Sequence, residues 1–233
     1  MNVVITGASK GIGQAIANQF AAAGANLFLC ARNEVTLYNS VAELQAKYPQ
    51  SNINAQAGDM SKKDEVQKFA KWVLARTVQI DVLVNNAGQF LPGNIYNEDE
   101  GMLEQMMSTN LYSAYHLTRA LIPVMMNTKK GHIFNICSIA GMAAYPNGGS
   151  YSITKFALMG FSKNLRAELK PHQIKVTTVF PGAVMTDSWG DFDNSSKRIM
   201  EADDIAKMIQ AATTLSSQAV VEDIILRPQL GDL

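Results

Sequence analysis

The sequence has few of the features that mark membrane, secreted or nucleic-acid-binding proteins. No apolar run approaches the ~20 residues that span a bilayer. The 20 lysines and arginines are balanced by 20 aspartates and glutamates, which argues against nucleic-acid binding because that function requires a surplus of positive charge. The first residues lack the basic and apolar regions and the cleavage site of a secretory signal. We therefore expect a cytoplasmic protein with no membrane or nucleic-acid partner.

Cysteine and histidine are also scarce. The 2 cysteines, Cys30 and Cys137, each end an apolar segment, so we expect two buried thiols rather than a disulfide framework. The 3 histidines, His116, His132 and His172, lack the spacing of metal ligands, so no metal site is predicted. Hydrophobic residues make up 47% of the chain and charged residues 17%, which predicts a sizeable core rather than disorder.

Short apolar segments alternate with amphipathic ones along the whole chain. The apolar segments are rich in Val, Ile and Phe without strict alternation, which is typical of strands covered on both faces. Seven strands and six helices in alternation predict one α/β domain, residues 1–233, with a doubly wound parallel sheet and helices on both faces. The predicted strands are residues 2–6, 26–31, 52–57, 80–85, 132–137, 175–180 and 220–226; the predicted helices run from Ile12 to a stop at Gly24 and over residues 34–48, 62–75, 98–126, 151–169 and 203–215.

The first predicted strand leads directly into a glycine-rich turn. Gly7, Gly11 and Gly13 would let the backbone approach a pyrophosphate, and the helix that follows would offer free N–H groups. An ordinary glycine-rich turn is the alternative interpretation. The order of strand, turn and helix favours the dinucleotide site of a Rossmann fold.

The end of the second predicted strand indicates which dinucleotide binds. NAD-binding chains usually place a carboxylate there, whereas the 2′-phosphate of NADP needs a cation. Here Arg32 follows the strand, and Arg32 and Lys10 would both reach a 2′-phosphate. The nearest acid, Glu34, fits the first turn of the next helix. NADP is therefore favoured over NAD, with a solvated Arg32 as the alternative.

Polar residues also follow the third and fourth strands, at the edge where a doubly wound sheet binds ligands. Asp59 would accept a hydrogen bond from an adenine amine, or would cap the helix that starts near Ser61. Asn85 and Asn86 lie at the same edge, or simply stabilise a turn. Taken separately, these positions are weak signals.

A tyrosine and a lysine four residues apart, Tyr151 and Lys155, share one face of a predicted helix. A phenol titrates near ~10, but a neighbouring ammonium and the positive nicotinamide of an oxidised cofactor would lower its pKa. Ser138 ends the fifth strand, where it would hydrogen-bond a substrate carbonyl oxygen. Asn110, a polar residue within a helix, would hold a water that links Lys155 to solvent. Because this Tyr–Lys spacing is common by chance, the hypothesis depends on Ser138 and the glycine turn.

In order along the chain, these motifs resemble the classical short-chain dehydrogenase/reductases over essentially its whole length. The matching elements are residues 6–13, 59, 85–88, 110, 138, 151–155 and 181–186. The resemblance implies hydride transfer between NAD(P) and an alcohol or carbonyl, with Tyr151 as the acid–base group and Ser138 orienting the carbonyl; with the preference that Arg32 indicates, the expected cofactor is NADP(H). The resemblance also implies that Lys155 binds the ribose hydroxyls of the cofactor and that Asn110 supports a proton relay. The implied cofactor contacts are Gly7, Ser9, Lys10, Gly11, Ile12, Gly13, Arg32, Asp59, Met60, Asn86, Ala87, Gly88, Tyr151, Lys155, Pro181, Gly182, Val184 and Thr186.

The C-terminal third further resembles bacterial sepiapterin reductase-type members, through Trp189-Gly190 and residues 220–228. The glycine-rich ending usual in 3-oxoacyl-carrier-protein reductases is missing. The irregular segment at about 182–200 is interpreted as a substrate lid, in which Trp189 would stack on a flat substrate held by Ser138 and Tyr151.

The leading hypothesis is an NADPH-dependent carbonyl reductase that acts on a small ketone, a pterin side-chain ketone among them. A 3-oxoacyl-[acyl-carrier-protein] reductase is the first alternative, and a non-catalytic dinucleotide sensor on the same fold is an alternative of another class. The resemblance also implies a homodimer or homotetramer formed through the helices at 98–126 and 151–169.

Overall fold

Seven parallel strands form the centre of the molecule. The computed structural model describes residues 1–232, with the backbone alone at Ser188. The strands are β1 Asn2–Thr6, β2 Asn26–Ala31, β3 Ile53–Ala57, β4 Val82–Asn85, β5 Gly131–Ile136, β6 Ile174–Pro181 and β7 Asp223–Leu226. Their order in the sheet is β3-β2-β1-β4-β5-β6-β7, and every neighbouring pair is parallel. The predicted doubly wound Rossmann fold is confirmed.

The helices connect these strands as crossovers. They are α1 Gly11–Ala22, α2 Glu34–Lys47, α3 Lys63–Leu74, α4 Met102–Met107, α5 Ser113–Thr128, α6 Gly149–Leu169 and α7 Ala202–Thr213. The prediction of one regular helix over residues 98–126 is wrong. The helix starts at Met102, and a π-helical turn, Ser108–Tyr112, separates α4 from α5.

The sheet is covered on both faces, which explains the unbroken apolar strands. Along β1, Val3 and Ile5 pack in one cluster with residues of α1, α2 and α7, whereas Val4 packs in the other with residues of α3, α5 and α6. Successive side chains of a strand point to opposite faces, so both kinds of position must be apolar. Full burial of such a side chain contributes about 1.5–3 kcal/mol.

β4 and β7 begin later than predicted, because the residues just before them lie outside the strands. Ile80 is fully buried but precedes β4, where the carboxylate of Asp81 accepts the backbone N–H of Asn2 at 2.8 Å. Residues 220–222 precede β7, and the carbonyl of Glu222 accepts the N–H of Thr178 at 2.9 Å. An apolar run in the sequence therefore does not by itself show where the backbone hydrogen bonds of a strand begin.

Both thiols are free and buried, as predicted for Cys30 and Cys137. Burial raises the pKa of Cys30 to about 12, with the charge of Glu65 adding to the effect. Over residues 1–232, none of the helices combines the length and the apolar character that a bilayer span requires. Within the same range, His, Cys, Asp and Glu side chains form no group of three or more suited to a metal ion.

Candidate active site

The candidate site lies at the carboxyl edge of the sheet, where the chain leaves β1 and β4. These strands are neighbours, but the chain continues from β1 toward β2 on one side and from β4 toward β5 on the other. Such a divergence opens the crevice in which doubly wound sheets bind ligands. The glycine-rich turn follows β1 and Asn86 follows β4, so both border this crevice.

The glycine-rich turn has no room for side chains. Gly7 and Gly11 adopt positive φ angles of 63° and 56°. A Cβ atom on Gly13 would overlap the carbonyl oxygen of Gly7, and one on Gly7 would lie 2.8 Å from Nδ2 of Asn86. That amide nitrogen donates to the carbonyl oxygens of Thr6 at 3.0 Å and Gly7 at 3.1 Å. Asn86 therefore fixes the turn, and the glycines keep its backbone open to a ligand.

The start of α1 is suited to an anion. Its N-cap residue, Lys10, makes no side-chain cap, and no acidic residue lies in the first turn. The first N–H groups of a helix lack partners within the helix, and they carry the positive end of its dipole. Thr186 approaches the same turn, since its Cγ2 lies 3.2 Å from the place of a Cβ on Gly11. This backbone cradle fits a pyrophosphate.

Arg32 and Asp59 lie beside this cradle, after β2 and β3. Oδ1 of Asp59 accepts the N–H of Ser61 at 3.0 Å and its hydroxyl at 2.8 Å. Burial acts to raise the pKa of Asp59, but the hydrogen bonds from Ser61 and the charges of Lys62 and Arg32 lower it overall. Asp59 thus stabilises a turn but does not cap α3, whose N-cap is Lys62. Arg32 is exposed.

Two predicted cofactor contacts already interact with the protein itself. Nζ of Lys10 lies 2.6 Å from Oδ2 of Asp187, and both side chains are largely exposed. Exposed ion pairs contribute about 0–1 kcal/mol, so a bound phosphate can compete for this ammonium group. The side chain of Met60 is buried in the core, which leaves its backbone for contact with a ligand.

Ser138, Tyr151 and Lys155 come together at the end of β5. Oγ of Ser138 accepts the N–H of Ala140 at 3.1 Å, and the Ser138 side chain lies close enough to the Tyr151 phenol to lower its pKa. Tyr151 and Lys155 lie in successive turns of α6, and Nζ of Lys155 lies 5.5 Å from the centre of the Tyr151 ring. The same ammonium group donates to the carbonyl oxygen of Ile136 at 3.1 Å. The structure thus brings Ser138, at the end of β5, to Tyr151 and Lys155 on the helix α6 that follows.

Desolvation governs the protonation of this group. Burial raises the pKa of Tyr151 to about 12, although the nearby Ser138 side chain acts in the opposite direction. Burial lowers the pKa of Lys155. In the chain by itself burial decides the direction of the Tyr151 shift. Tyr151 is therefore protonated at neutral pH, as a proton donor must be. The lowering of the phenol pKa by Lys155 together with an oxidised nicotinamide stays a prediction.

Asn110 is buried in the π-helical turn between α4 and α5. Its Oδ1 accepts the N–H of Gln89 at 2.8 Å, and its Nδ2 donates to the carbonyl of Gln89 and to Oγ1 of Thr154, both at 3.0 Å. Gly88 allows this arrangement, because a Cβ there would lie 3.3 Å from Oδ1 of Asn110 and 3.7 Å from Nζ of Lys155. Asn110 therefore lies close to Lys155, in a kind of turn that is frequent at functional sites.

Asn85 belongs to a layer beneath the site. Its Nδ2 donates to Oγ1 of Thr118 at 2.9 Å and to Oδ1 of Asn135 at 2.7 Å, and Asn135 in turn donates to Oγ of Ser162 at 2.8 Å. These buried bonds join β4 and β5 to α5 and α6. The two adjacent asparagines thus have separate roles, Asn85 in the core and Asn86 at the glycine turn.

The segment after β6 carries the remaining predicted contacts. Pro181 ends β6, and the N–H of Gly182 donates to the carbonyl of Leu226 at 2.7 Å. Val184 forms an isolated parallel bridge with Met200. The residues between Val184 and Met200 form a loop that returns to the place where it left. The bridge therefore ties together the two ends of the predicted lid.

Aromatic side chains surround the phenol and the lid. Trp189 packs against Phe192 within the lid, with ring centres 5.2 Å apart. Phe90 meets the ring of Tyr151 edge-on at 4.9 Å. Burial raises the pKa of Tyr145 to about 12, and Tyr151 contributes to that rise, so the two tyrosines are close. Sequence analysis missed Phe90 and Tyr145; the one available signal for Phe90 was its place just after Asn85-Asn86-Ala87-Gly88.

Comparison with known proteins identifies the family of this chain. Residues 1–197 match the family described as short chain dehydrogenase. A sepiapterin reductase of Chlorobaculum tepidum is 35% identical over 99% of this chain and 97% of its own. A metagenomic short-chain oxidoreductase in complex with NADP is 33% identical, with a TM-score of 0.86 over 98% of this chain and 97% of its own.

An alcohol dehydrogenase from the archaeon Thermococcus sibiricus, complexed with 5-hydroxy-NADP, is 29% identical, with a TM-score of 0.91 over 98% of this chain and 96% of its own. The family match, the nearly complete overlap and the shared fold agree with one another. This chain therefore belongs to the short-chain dehydrogenase/reductase family of NAD(P)-dependent oxidoreductases.

Proposed function

We propose that this protein reduces a small carbonyl compound with NADPH and catalyses the reverse oxidation of the alcohol. The observation that carries the proposal is the convergence of Ser138, Tyr151 and Lys155 at the end of β5, beside the glycine-rich turn that follows β1. Reduction of a carbonyl needs a proton donor and a hydrogen-bond donor at the carbonyl oxygen. A protonated phenol and a serine hydroxyl meet that need.

Bound NADPH would supply the hydride to the carbonyl carbon. Tyr151 donates its proton to the carbonyl oxygen while the hydroxyl of Ser138 orients that oxygen. Lys155 holds the ribose hydroxyls, and its positive charge stabilises the phenolate that the transfer leaves behind. Asn110, bonded to the segment after β4 and to α6, supports the relay through which the phenolate recovers a proton from solvent.

NADPH is favoured over NADH by the cations beside the cradle. Arg32 is exposed after β2, and Lys10 in the glycine-rich turn pairs with Asp187 at a surface where a phosphate can compete. The planar guanidinium group of arginine is suited to bind phosphate through two hydrogen bonds. Two of the similar structures were obtained with NADP or a derivative of it, which supports the assignment.

The substrate is a small ketone, with a pterin side-chain ketone as the first candidate. Trp189 on the lid offers a flat surface, and the similarity to a sepiapterin reductase supports this class. The lid also carries Asp187, Asp191 and Asp193. These carboxylates disfavour an acidic carrier protein at the mouth of the site, so reduction of carrier-bound 3-oxoacyl chains is the less favoured alternative.

The active form is a homodimer or homotetramer in the cytoplasm. Tyr112, Tyr115, Ile153 and Phe156 expose large apolar side chains near or on α5 and α6. A cavity of about 450 Å³ opens on this face, lined by Leu111, Tyr112, Tyr115, His116, Ala157 and Phe161. Contiguous apolar surface of this kind is typical of association sites. Two free buried thiols fit a reducing compartment.

A cofactor and substrate screen tests the proposal. The purified protein is incubated with NADPH or NADH and with pterin ketones, diketones, small aliphatic ketones and acetoacetyl thioesters, and oxidation of the cofactor is followed by absorbance. We expect turnover of small ketones with NADPH. Binding of NADPH without turnover of any carbonyl would favour the sensor, and faster turnover of a carrier-bound substrate would favour the 3-oxoacyl alternative.

A further inference from the structure

The helix that carries Tyr151 and Lys155 begins without a cap of its own. Its N-cap residue is Gly148, no side chain of the helix caps its start, and its first turn contains no acidic residue. The first N–H groups of any helix need partners outside the helix. The position of the catalytic phenol therefore depends on groups from elsewhere in the chain.

Glu98, in the segment between β4 and α4, supplies the missing partner. Its Oε1 accepts the backbone N–H of Ser150 at 2.8 Å, and its Oε2 accepts the hydroxyl of the same residue. Ser150 is buried and directly precedes Tyr151. One half-buried carboxylate thus makes two hydrogen bonds to the residue next to the phenol, from a position 52 residues away.

The chain is shaped around this side chain on both sides. A Cβ atom on Gly149 would overlap Oε1 of Glu98, and one on Gly93 would lie 2.6 Å from its Cγ. The absence of side chains at Gly93 and Gly149 therefore leaves the space that the Glu98 side chain occupies. Residues with side chains at either position would push the carboxylate away from Ser150.

A second set of bonds joins the same two segments. Nδ2 of Asn94 donates to Oδ1 of Asn147 at 3.1 Å, the N–H of Asn147 donates to Oδ1 of Asn94 at 3.3 Å, and the N–H of Gly93 donates to the carbonyl of Asn147 at 3.1 Å. Asn147 has a φ of 59°, which asparagine tolerates better than most residues. Phe90, which precedes Gly93 in the same segment, packs edge-on against the ring of Tyr151.

We propose that Glu98 is a positioning residue for proton transfer, which holds the first turn of α6 so that the Tyr151 phenol meets the substrate carbonyl. The proposal rests on the role of Tyr151 in the proposed function. Glu98 acts through Ser150 and does not touch the reacting atoms. Its effect is geometric, because the two hydrogen bonds depend on the reach of the side chain.

Three substitutions at Glu98 separate the effect of side-chain length from the effect of its negative charge. Glu98→Gln keeps the reach, since its amide oxygen still accepts from the Ser150 N–H and its amide nitrogen donates to the Ser150 hydroxyl. Glu98→Asp keeps the charge but is one methylene shorter. Glu98→Ala removes both bonds. Glu100→Ala, an exposed carboxylate in the same segment, is the matched control.

We expect Glu98→Ala and Glu98→Asp to lower kcat by between about tenfold and a hundredfold, because small misplacements of a reacting group have effects of that size. The dissociation constant for NADPH should stay unchanged, since the cradle lies after β1. Glu98→Gln should restore most of kcat, and Glu100→Ala should behave as the unmodified protein. Equal losses in Glu98→Gln and Glu98→Ala, or an unchanged kcat in Glu98→Ala, would overturn the proposal.

A measurement without turnover keeps this inference separate from the proposed function. Hydrogen exchange at the Ser150 amide should accelerate in Glu98→Ala and stay slow in Glu98→Gln, whatever substrate the protein uses. Unaltered exchange in Glu98→Ala would contradict the positioning role. If the unmodified protein reduced no carbonyl, or if Tyr151→Phe kept its rate, the proposed function would fail instead.

Discussion

Asn110 joins the π-helical turn to α6, because its Nδ2 donates to Oγ1 of Thr154, the residue before Lys155, at 3.0 Å. The same amide pairs with both backbone groups of Gln89. One side chain thus connects the segment after β4 with α6 in the buried part of the site. The consequence for stability and for activity is testable.

Asn110→Ala should reduce both properties together. The substitution leaves the N–H and carbonyl of Gln89 without their partner, and a buried polar group that loses its partner costs about 1–3 kcal/mol. For a chain of this size each kcal/mol lowers Tm by about 2–4 °C. Thermal unfolding and kcat measure the two effects. Thr109→Val, in the same turn but with its hydroxyl bond at the exposed surface, is the control; a loss as large in the control would contradict a specific role.

Tyr151→Phe should abolish turnover and leave NADPH binding nearly intact. The phenol supplies a proton but little of the cofactor contact, so the loss appears in kcat. General acid catalysis contributes about 10²–10⁴-fold, and a variant that kept more than about a tenth of the rate would exclude the acid–base role. Tyr145→Phe is the matched control, since Tyr145 lies close to Tyr151 and burial also raises its pKa to about 12.

Lys155→Met should stabilise the ligand-free protein while it removes activity. Lys155 is buried, its ammonium group donates to a carbonyl oxygen, and burial lowers its pKa. Because folding lowers this pKa, the unfolded chain binds the proton more tightly, and stability is lost as the pH falls below the ordinary lysine value of about 10.4. Removing the buried charge should raise Tm by about 2–4 °C for each kcal/mol recovered.

The pH dependence of this gain checks its cause. The difference in Tm between Lys155→Met and the unmodified protein should be largest near neutral pH, and should shrink as the pH rises toward the ordinary lysine pKa. Lys163→Met, an exposed lysine on the same helix, should show no such trend. A lower Tm in Lys155→Met at neutral pH would mean that the bond to Ile136 outweighs desolvation.

NADPH should be preferred to NADH, and Arg32→Ala should remove most of the preference. Charge-assisted hydrogen bonds to a phosphate contribute about 1.5–3 kcal/mol, or roughly tenfold to more than a hundredfold in affinity. Values of KM for both cofactors, in the unmodified protein and in the variant, measure the effect. Lys68→Ala, an exposed cation on α3, controls for the loss of surface charge. Equal KM values for the two cofactors in the unmodified protein would contradict the NADP assignment.

Trp189→Ala should raise KM for a planar aromatic ketone more than for a small aliphatic one, because only the planar substrate stacks on the indole ring. The alternative is that Trp189 merely packs the lid through Phe192. In that case both substrates lose affinity equally. Tyr96→Ala, a highly exposed aromatic side chain, controls for nonspecific surface effects. Steady-state kinetics with both substrates distinguishes the two roles of Trp189.

Local patterns in the sequence were enough to predict the strands, the glycine-rich turn and the pairing of Tyr151 with Lys155. Each depends on spacing within a few residues, such as the unbroken apolar run of β1 or the four-residue step on α6. The contact between Glu98 and Ser150 has no such signal, because chain topology alone brings the two residues together. The pKa of Tyr151 in the chain by itself has no signal in the motif either, because it depends on burial, which a motif does not report.

The π-helical turn also sets the phase of the helix on either side of it. Met106 in α4 and Met125 in α5 are both fully buried, yet in an uninterrupted α-helix their side chains would point about 100° apart. The extra residue of the wide turn cancels this offset, so both methionines point into the protein. Deleting one residue between them would leave a regular helix in which the two side chains still point the same way, because 18 steps of about 100° make whole turns. The extra residue therefore leaves the packing of α4 and α5 in phase, and its effect is confined to the wide turn that holds Asn110.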